Sequence, residues 1–349
     1  MNMDNLNDFN HTFVIAEAGS NWKSGSYDED LSQAKKLIDL ASQSGADAVK
    51  FQTYRPETVY ATNAGKSRYL SEHGIDTDIH LIFQRHSMPY EMIPCLYDYC
   101  LKKNILFMSS PFSVQDAKEL DPFVQIHKVA SFEINHVPLL KYLFSTKKPV
   151  IISTGASTYA EIDFVMNLSK EYQSQIALLQ CTSKYPSPLD ALNISVIPKL
   201  KAKYCVPVGL SDHSTHPYIA PILAIGFGAT IIEKHFTLDK SLPGPDHGFA
   251  LNPEELKSMI NSIRDSDKAK GCGEKQILQE EHELRRFATR SLQAMTKISK
   301  GDVLKLGINF DILRPGNQSR GAEPRFLEQV EGKKATKSID IGEGILDYE

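Results

Sequence analysis

Eight short apolar segments recur along the first two thirds of the chain, and amphipathic stretches separate several of them. The segments are TFVIAEAG, DAVKFQT, NILFMSSP, QIHKVAS, PVIISTG, IALLQCT, VPVGLSDH and ATIIEKHF. Strand and helix in alternation are typical of a parallel sheet. Eight such units in about 240 residues favour an α/β fold in which the sheet closes into a (β/α)₈ TIM barrel.

The stretch LSQAKKLIDLASQSGA illustrates the helical pattern between the first two segments. Its apolar residues share one helix face at spacings of three and four. They are Leu31, Ala34, Leu37, Ile38 and Ala41. Gly45 follows the last of them and is predicted to end the helix.

Polar residues lie at the carboxyl end of nearly every segment. They are Glu17, Lys50 with Gln52, Ser109 with Ser110, Lys128 with Ser131, Ser153 with Thr154, Gln180 with Thr182, Ser211 with Asp212 and His213, and Glu233 with His235. A barrel brings the carboxyl ends of all its strands to one rim, where barrel enzymes have their active sites. The sequence therefore predicts a polar site at that rim.

Two of these polar residues are histidines, His213 and His235, and they lie at matching places in consecutive segments. Because side chains alternate along a strand, Glu233 and His235 share one face, and Ser211 shares a face with His213. Two imidazoles with open positions suit Mn²⁺, Mg²⁺ or another divalent ion. The alternative is an ordinary hydrogen-bonded core histidine at each position, but two at matching strand ends, each near an acidic residue, favour the metal site. Six other histidines are interpreted as surface or structural residues: His11, His73, His80, His86, His136 and His282.

Lysine residues inside the predicted barrel indicate an anionic ligand. Lys50 shares a strand face with Gln52, while Val49 and Phe51 are expected to pack against helices. A lysine in a barrel interior needs an anion, because burying an unpaired ammonium group is costly.

Lys128 is a second interior lysine. With the hydroxyls of Ser131, Ser153 and Ser211 it forms a candidate cradle for phosphate or carboxylate. Lys128 and Ser131 are three residues apart, so both can face inward only if the chain turns after residue 130. A purely structural ion pair of Lys128 with Glu17 or Glu133 is the alternative.

Two loops are candidates for the same rim. The sequence PGPDHGF places Asp246 and His247 on a loop stiffened by Pro and Gly, where Asp246 orients a water or a substrate hydroxyl, or simply caps a turn. The stretch 53–80 lacks a clear pattern, and its length suggests a lid. Cys181 ends an apolar segment and is interpreted as a small core residue, with a place in the lining of a site as the alternative.

Composition and charge exclude several classes of protein. The net charge is −4 with no basic block, so no nucleic-acid partner is expected. No apolar run is long enough for a membrane span, and the amino terminus has no signal-peptide pattern, so a cytoplasmic protein is expected. Five scattered cysteines without a CxxC pair indicate reduced thiols.

The chain of 349 residues is long enough for a barrel and a small appendage. We expect a barrel domain over 1–270 and a charged linker, interrupted by glycines, over 271–289. A small domain of short strands and turns is expected over 290–349.

The motifs IAEAGSN, GADAVKFQT, SSPFS, HKVAS-E, STGAS, LLQCTSKYP, GLSDHS, IIEKHFTLD and PGPDH occur in this order. Together they resemble the sialic acid synthase family, which joins phosphoenolpyruvate to an N-acetylated amino sugar and makes a nine-carbon sialic-type acid. The tail, with SKGD, RPG and EGKKATKSI, is similar to the family's SAF (antifreeze-like) domain. The resemblance spans almost the whole chain.

The resemblance implies a role for each matching residue. His213 and His235 match the ligands of a divalent metal, normally Mn²⁺, with Mg²⁺ or Co²⁺ as alternatives. Phosphoenolpyruvate is held by the family positions that match Lys50, Lys128, Ser131, Ser153 and Ser211, with Gln52 grouped among the substrate-binding residues. Acidic positions near the reacting carbons match Glu17, Glu233 and Asp246, and Tyr185 matches a residue of the sugar pocket.

The resemblance also implies a homodimer in which the SAF domain of one subunit, through Arg314, covers the barrel of its partner. Two positions depart from the family pattern: Trp22 replaces a histidine and Ser183 replaces an asparagine, both near the expected sugar pocket. Two other functions are weighed against this one. They are a phosphoenolpyruvate-using or aldolase barrel that acts on a phosphorylated aldose, and a non-catalytic carbohydrate-binding protein.

Overall fold

The computed structural model describes Leu6, residues 10–67 and residues 76–349. The chain divides into two compact units, Met1–Gly271 and Cys272–Glu349. His73 and part of the expected lid lie outside the described residues. The described part of that stretch contains the helix Pro56–Val59, the start of the helix Ile79–His86 and an antiparallel bridge between Lys66 and Asp78.

The first unit contains a sheet of parallel strands. They are β1 (Phe13–Gly19), β2 (Ala48–Thr53), β3 (Leu106–Pro111), β4 (His127–Val129), β5 (Val150–Ser153), β6 (Ile176–Cys181), β7 (Val208–Asp212) and β8 (Ile231–His235). Their spatial order is β3-β2-β1-β8-β7-β6-β5-β4, and β3 also lies beside β4. This nearly closed barrel of eight strands within the described residues confirms the predicted architecture.

Helices surround the barrel. They are α1 (Tyr27–Ser44), α2 (Pro56–Val59), α3 (Ile79–His86), α4 (Met92–Lys102), α5 (Val114–Leu120), α6 (Val137–Ser145), α7 (Tyr159–Glu171), α8 (Val196–Tyr204), α9 (Ile219–Gly226) and α10 (Pro253–Lys270). Short 3₁₀ turns cover Asp121–Phe123, Ser131–Glu133 and Leu189–Ala191. None of the helices in the described ranges has the length and apolarity that crossing a membrane requires.

Helix α1 shows how local sequence sets an element's limits. At its start the Glu29 carboxylate accepts a hydrogen bond of 2.7 Å from the Ser26 N–H, which satisfies a donor left free by the helix. At its end Gly45 adopts φ of 88°, a conformation that favours glycine. The predicted end of the helix at Gly45 is confirmed.

Strand alternation divides the barrel into two apolar layers. Val49 and Phe51 on β2 belong to the layer between sheet and helices, as predicted. A smaller cluster fills the barrel interior below the rim: Leu6, Phe13, Ile15, Ala48, Met108, Ile126, Ile151, Ala177, Leu179 and Ile231. Polar side chains at the rim therefore rest on an apolar floor.

The last helix of this unit is tied to the first strand. The Asp267 carboxylate accepts 2.7 Å hydrogen bonds from both the N–H and the hydroxyl of Thr12. Arg264 donates to the Thr12 carbonyl at 2.5 Å and contacts Asp47 at 2.8 Å.

The second unit is small. Within it β9 (Ser291–Ala294) pairs antiparallel with β10 (Phe310–Leu313), and isolated bridges join Val303 to Lys334 and Ile298 to Ile339. It also contains α11 (His282–Ala288), α12 (Leu327–Val330) and the 3₁₀ turns Gln279–Glu281 and Pro324–Phe326. Its core residues are Leu292, Ala294, Ile298, Leu304, Phe310, Val330, Ala335, Ile339 and Ile345.

Candidate active site

Buried ionisable side chains meet at the carboxyl ends of the barrel strands. Glu17 of β1, Lys50 of β2, Lys128 of β4 and Glu233 of β8 are each at most 5% exposed. The Lys50 ammonium lies 2.5 Å from Glu17 Oε2 and 3.8 Å from Glu233 Oε1. Lys128 Nζ lies 3.7 Å from the same Glu233 oxygen. The two lysines and two glutamates thus form one network in which the opposite charges balance.

Other hydrogen bonds orient this network. Gln52 Nε2 donates to Glu17 Oε1 at 3.1 Å, and Ser211 Oγ donates to Glu233 Oε1 at 3.1 Å. Glu233 Oε2 is buried and has no hydrogen-bond partner among the described residues. That oxygen is available to a ligand. The interior orientation predicted for Lys50 and Gln52 is consistent with these contacts.

The two glutamates differ electrostatically. Burial raises the pKa of Glu17 to about 7, against the opposing charge of Lys50. Burial also acts to raise the pKa of Glu233, but the ammonium groups of Lys128 and Lys50 outweigh it and lower that pKa. Glu233 is therefore a stable carboxylate, whereas Glu17 has the pKa expected of a group that exchanges protons near neutrality.

Lys128 leads into a second group of polar side chains. Its ammonium donates to Ser153 Oγ at 2.7 Å and to the Val129 carbonyl at 3.0 Å. The 3₁₀ turn after residue 130 confirms the predicted change of direction, and Ser131 Oγ accepts a hydrogen bond from Gly155 N at 3.0 Å. Among the described residues, neither Glu17 nor Glu133 lies within ion-pair distance of Lys128, although both were considered as its structural partners. Lys128 instead pairs with Glu233.

His213 and His235 lie side by side, with ring centroids 5.5 Å apart. His213 Nδ1 contacts the Thr182 carbonyl at 2.9 Å, and a proton on that nitrogen leaves Nε2 as a free acceptor. His235 Nδ1 is buried without a hydrogen-bond partner among the described residues. Burial lowers the pKa of His235 to about 3, which keeps the ring neutral.

Burial acts to lower the pKa of His213, but Cys181 and the Thr182 carbonyl outweigh burial and raise that pKa. In their neutral forms, two imidazoles with available nitrogens fit a divalent cation. In the described part of the chain, no group of three or more His, Cys, Asp or Glu residues has metal-binding geometry. Two histidines alone therefore leave several coordination positions for water and substrate oxygens. The residues fit an open, catalytic type of metal site better than a closed structural one.

Aromatic and acidic residues line the same region. The Tyr185 ring lies 4.1 Å from the His213 ring between centroids, and Phe249 lies 5.0 Å from the His235 ring. Asp246 Oδ2 accepts hydrogen bonds from Ser20 N at 3.0 Å and Ser20 Oγ at 2.8 Å, which fixes the PGPDH loop against the end of β1. The predicted residues Tyr185 and Asp246, from the loops after β6 and β8, thus both lie in this region.

The two positions that depart from the family pattern have different surroundings. Trp22 is 1% exposed, and its side chain packs in the apolar layer between sheet and helices. Ser183 lies in the site: its buried oxygen has no hydrogen-bond partner among the described residues, and a Cβ on Gly155 would lie 2.2 Å from it. Of the two substitutions, the one at Ser183 alters the polar surface of the site.

Sequence reasoning missed Gly155, and it considered Glu133 only as a structural partner of Lys128. Gly155 has no side chain to attract notice, but it allows Ser131, Ser183 and Cys181 to approach one another. Glu133 has a buried oxygen without a hydrogen-bond partner in the described residues, and burial raises its pKa to about 7. The position of Glu133, two residues after Ser131, is the sequence feature that could have identified it as a site residue.

Arg314, a predicted substrate-binding residue, belongs to the second unit, where it is exposed.

Comparisons with known proteins agree with this geometry. A model of the NeuB family matches residues 37–275. Spore coat polysaccharide biosynthesis protein SpsE of Bacillus subtilis is 40% identical, over 96% of this chain and 92% of its own length. Pseudaminic acid synthase of Campylobacter jejuni serotype O:23/36 is 36% identical, over 99% of both chains.

A solved structure gives the same result. The crystal structure of N-acetylneuraminic acid (sialic acid) synthetase from Leptospira borgpetersenii, in complex with citrate, has a TM-score of 0.70 and 33% identity. The match covers 79% of this chain and 90% of the Leptospira chain. Since the family model spans more than half of the residues and these relatives align nearly end to end, the chain belongs to the NeuB family.

Proposed function

We propose that this protein condenses phosphoenolpyruvate with an N-acetylated amino sugar and water. The products are a nine-carbon 2-keto acid sugar and phosphate. The observation that carries the proposal is the buried Lys50, Lys128, Glu17 and Glu233 network beside His213 and His235. The names of the relatives, which include synthases of two different sialic-type acids, support the same reaction.

Phosphoenolpyruvate binds through the two lysines and the serine hydroxyls. Lys50 and Lys128 come from separate strands, so they can contact the carboxylate and the phosphate of one ligand. The hydroxyls of Ser131 and Ser153, which accept from Gly155 and Lys128, add donors for the ligand. The Ser211 hydroxyl adds a third when it turns from Glu233 to the ligand. The apolar barrel floor below these residues excludes water and strengthens each polar contact.

The cation would be Mn²⁺, with Mg²⁺ or Co²⁺ as alternatives, held by His213 and His235. When bound, it supplies a Lewis acid that polarises the aldehyde of the open-chain sugar. Asp246 and Tyr185 orient the sugar hydroxyls. Tyr185 lies against the His213 ring, and Asp246 is fixed by Ser20.

The reaction forms one carbon–carbon bond and replaces the phosphate oxygen at C2 with the oxygen of water. C3 of phosphoenolpyruvate attacks the aldehyde carbon, and the aldehyde oxygen takes up a proton. Water then adds to the cation-like C2, and Glu17, whose pKa lies near 7, accepts its proton. Phosphate leaves with the electrons of the C2–O bond while the new C2 hydroxyl loses its proton. Glu233 remains ionised and stabilises the positive charge at C2.

The amino sugar is N-acetylmannosamine or a 2,4-diacetamido hexose. The substrate panel should therefore contain both kinds of sugar and a phosphorylated aldose, with phosphate release and product mass as readouts. We expect release only when phosphoenolpyruvate, a divalent ion and a 2-acetamido sugar are all present. His213→Ala and His235→Ala should abolish release, and EDTA should do so reversibly.

Three results would contradict parts of this proposal. Activity that survives both EDTA and the histidine substitutions would remove the metal from the reaction. Turnover of the phosphorylated aldose alone would indicate the alternative barrel enzyme. Sugar binding without turnover, in the presence of phosphoenolpyruvate and Mn²⁺, would indicate a carbohydrate-binding protein.

For the rest of the chain, we propose a barrel over 1–270, a linker over 271–289 and an SAF (antifreeze-like) domain over 290–349. In a cytoplasmic homodimer, this domain would cover the partner's barrel and bring Arg314 to its site. Mixing inactive His213→Ala and Arg314→Ala proteins tests this arrangement. If sites are shared between subunits, random dimers regain about a quarter of wild-type activity. A mixture that stays inactive, or an inactive variant that is a monomer by light scattering, contradicts it.

A further inference from the structure

The outward face of β8 carries a buried lysine directly between the two inward-facing site residues. Lys234 lies between Glu233 and His235 in the sequence, and its side chain is 1% exposed. In the parallel register of β7 and β8, Lys234 is the partner of Asp212, which directly precedes His213. A charged pair on the outside of the barrel therefore flanks the histidine pair on the inside.

The Lys234 ammonium makes a full set of contacts with the chain around His213. It lies 2.5 Å from Asp212 Oδ2, 2.6 Å from the Ser214 carbonyl and 3.1 Å from the His216 carbonyl. The Asp212 carboxylate in turn accepts a 2.8 Å hydrogen bond from Ser214 N. The chain from Asp212 to His216 thus curves around one ammonium group, and His213 lies within that curve.

A second set of contacts holds His213 from the site side. Its Nδ1 contacts the Thr182 carbonyl, and its own carbonyl accepts a 2.9 Å hydrogen bond from Ser187 N. These contacts orient the ring, but they do not connect it to β8. Besides the backbone ladder and the hydrogen bond from Ser211 to Glu233, the connection between the His213 segment and the strand that carries His235 passes through Lys234.

We propose that Lys234 is a positioning residue that fixes His213 relative to His235 and thereby sets the affinity of the site for its divalent cation. The inference rests on the proposed function for the cation site itself. It assigns to the outer layer of the barrel a residue that touches no substrate, cation or reacting atom.

The competing explanation is that Lys234 and Asp212 form a purely structural ion pair. The positioning role and the structural role predict different results. Removing one member of a buried pair leaves an uncompensated charge, so Lys234→Met lowers stability whatever its role. In the double variant Lys234→Met/Asp212→Asn neither member of this pair carries a charge, and the amide oxygen can still accept from Ser214 N. Stability should then recover, whereas the bonds from the ammonium to Ser214 and His216 remain absent.

The experiment measures Mn²⁺ binding to the chelator-stripped full chain, with free Mn²⁺ read by electron paramagnetic resonance. Wild type is compared with Lys234→Met, the double variant and Lys240→Met. The last is a control for the loss of a lysine–carboxylate pair elsewhere in the same unit. Lys240 is half-buried and pairs with Glu255 at 2.6 Å, without a contact to the His213 segment. Trp22 fluorescence on unfolding reports the stability of each protein.

We expect the dissociation constant for Mn²⁺ to rise about tenfold or more in Lys234→Met and in the double variant, and to stay unchanged in Lys240→Met. Activity of both Lys234 variants should need correspondingly more Mn²⁺ while kcat at saturating Mn²⁺ largely recovers. Should Lys234→Met not fold, the double variant decides. Wild-type affinity in the double variant overturns the inference. Absence of Mn²⁺ binding to the wild type instead overturns the proposed cation site, and the inference with it.

Discussion

His127 makes the stability of the barrel depend on pH. Its side chain is 1% exposed at the start of β4, with Nε2 3.1 Å from Thr146 Oγ1 and 3.2 Å from Asp121 Oδ1. Burial lowers the pKa of His127 from its ordinary 6.5 to about 4, and Lys148 adds to this effect while Asp121 opposes it. The folded barrel therefore resists protonation at a position that the unfolded chain protonates readily.

The sign follows from proton binding. Between pH 6.5 and pH 4 the unfolded chain holds a proton on His127 that the folded chain lacks, so acidification favours unfolding. The stabilising contribution is complete above pH 6.5 and is lost as the pH falls towards 4. This difference between the pKa values of the unfolded and folded states contributes up to about 3 kcal/mol to the free energy of unfolding. About 2 kcal/mol of that contribution is lost between pH 7 and pH 5.

The assay is urea unfolding at pH 7 and at pH 5, followed by tryptophan fluorescence. Trp22 is the single tryptophan of the chain and is buried in the barrel, so its signal reports the first unit. The comparison is with His127→Gln, which can keep a hydrogen bond to Thr146 but does not titrate. Between pH 7 and pH 5 the free energy of unfolding should fall by about 2 kcal/mol more in the wild type than in the variant. Equal losses in the two proteins would refute the assignment of a depressed pKa to His127.

Three further substitutions test packing around the site and in the second unit. Gly19→Ala places a Cβ 2.6 Å from Asp246 Oδ2 at a residue with φ of 52°, so we expect phosphate release to fall about 100-fold while circular dichroism still shows a folded barrel. Near-normal turnover would argue against a role for Asp246. Gly155→Ala should raise the KM for phosphoenolpyruvate about tenfold, because its Cβ would meet Ser183 Oγ at 2.2 Å and Ser131 Oγ at 2.8 Å. Adding Ser183→Ala should recover only part of the loss, and full recovery would show that Ser131 is not displaced. Phe310→Ala removes a fully buried ring from the second unit and should lower that unit's stability by about 3 kcal/mol, measured by hydrogen exchange, without moving the Trp22 transition. A shifted Trp22 transition would show that the two units unfold together.

The sequence was sufficient to predict the barrel because its signals are local. Apolar segments, helical faces and a stop at Gly45 each depend on neighbouring residues, and strand alternation places Lys50 inside with Phe51 outside. The turn after residue 130 also followed from spacing, since Lys128 and Ser131 could not both face inward from one regular strand.

Partners across the barrel could not be predicted in the same way. Lys128 lies near Glu233 because of how β4 and β8 are staggered around a nearly closed sheet, and no pattern within either segment determines that stagger. Asp246 meets Ser20 across 226 residues of sequence. The same limit applies to Trp22, whose orientation towards the apolar layer depends on the loop that follows β1.

The bonds between Thr12 and the last helix of the first unit have a consequence for how the chain acquires its structure. Residues 12 and 267 are separated by 255 positions, and β1 also needs β8 as its neighbour. Contacts of such long range form slowly, because a large loop must close before they contribute any stability. As the chain emerges from the ribosome, β1 cannot complete its pairing until β8 has been made, and Thr12 must wait still longer for Asp267. Closure of the barrel is therefore a late event of synthesis, and the edge of β1 is exposed to wrong partners until then.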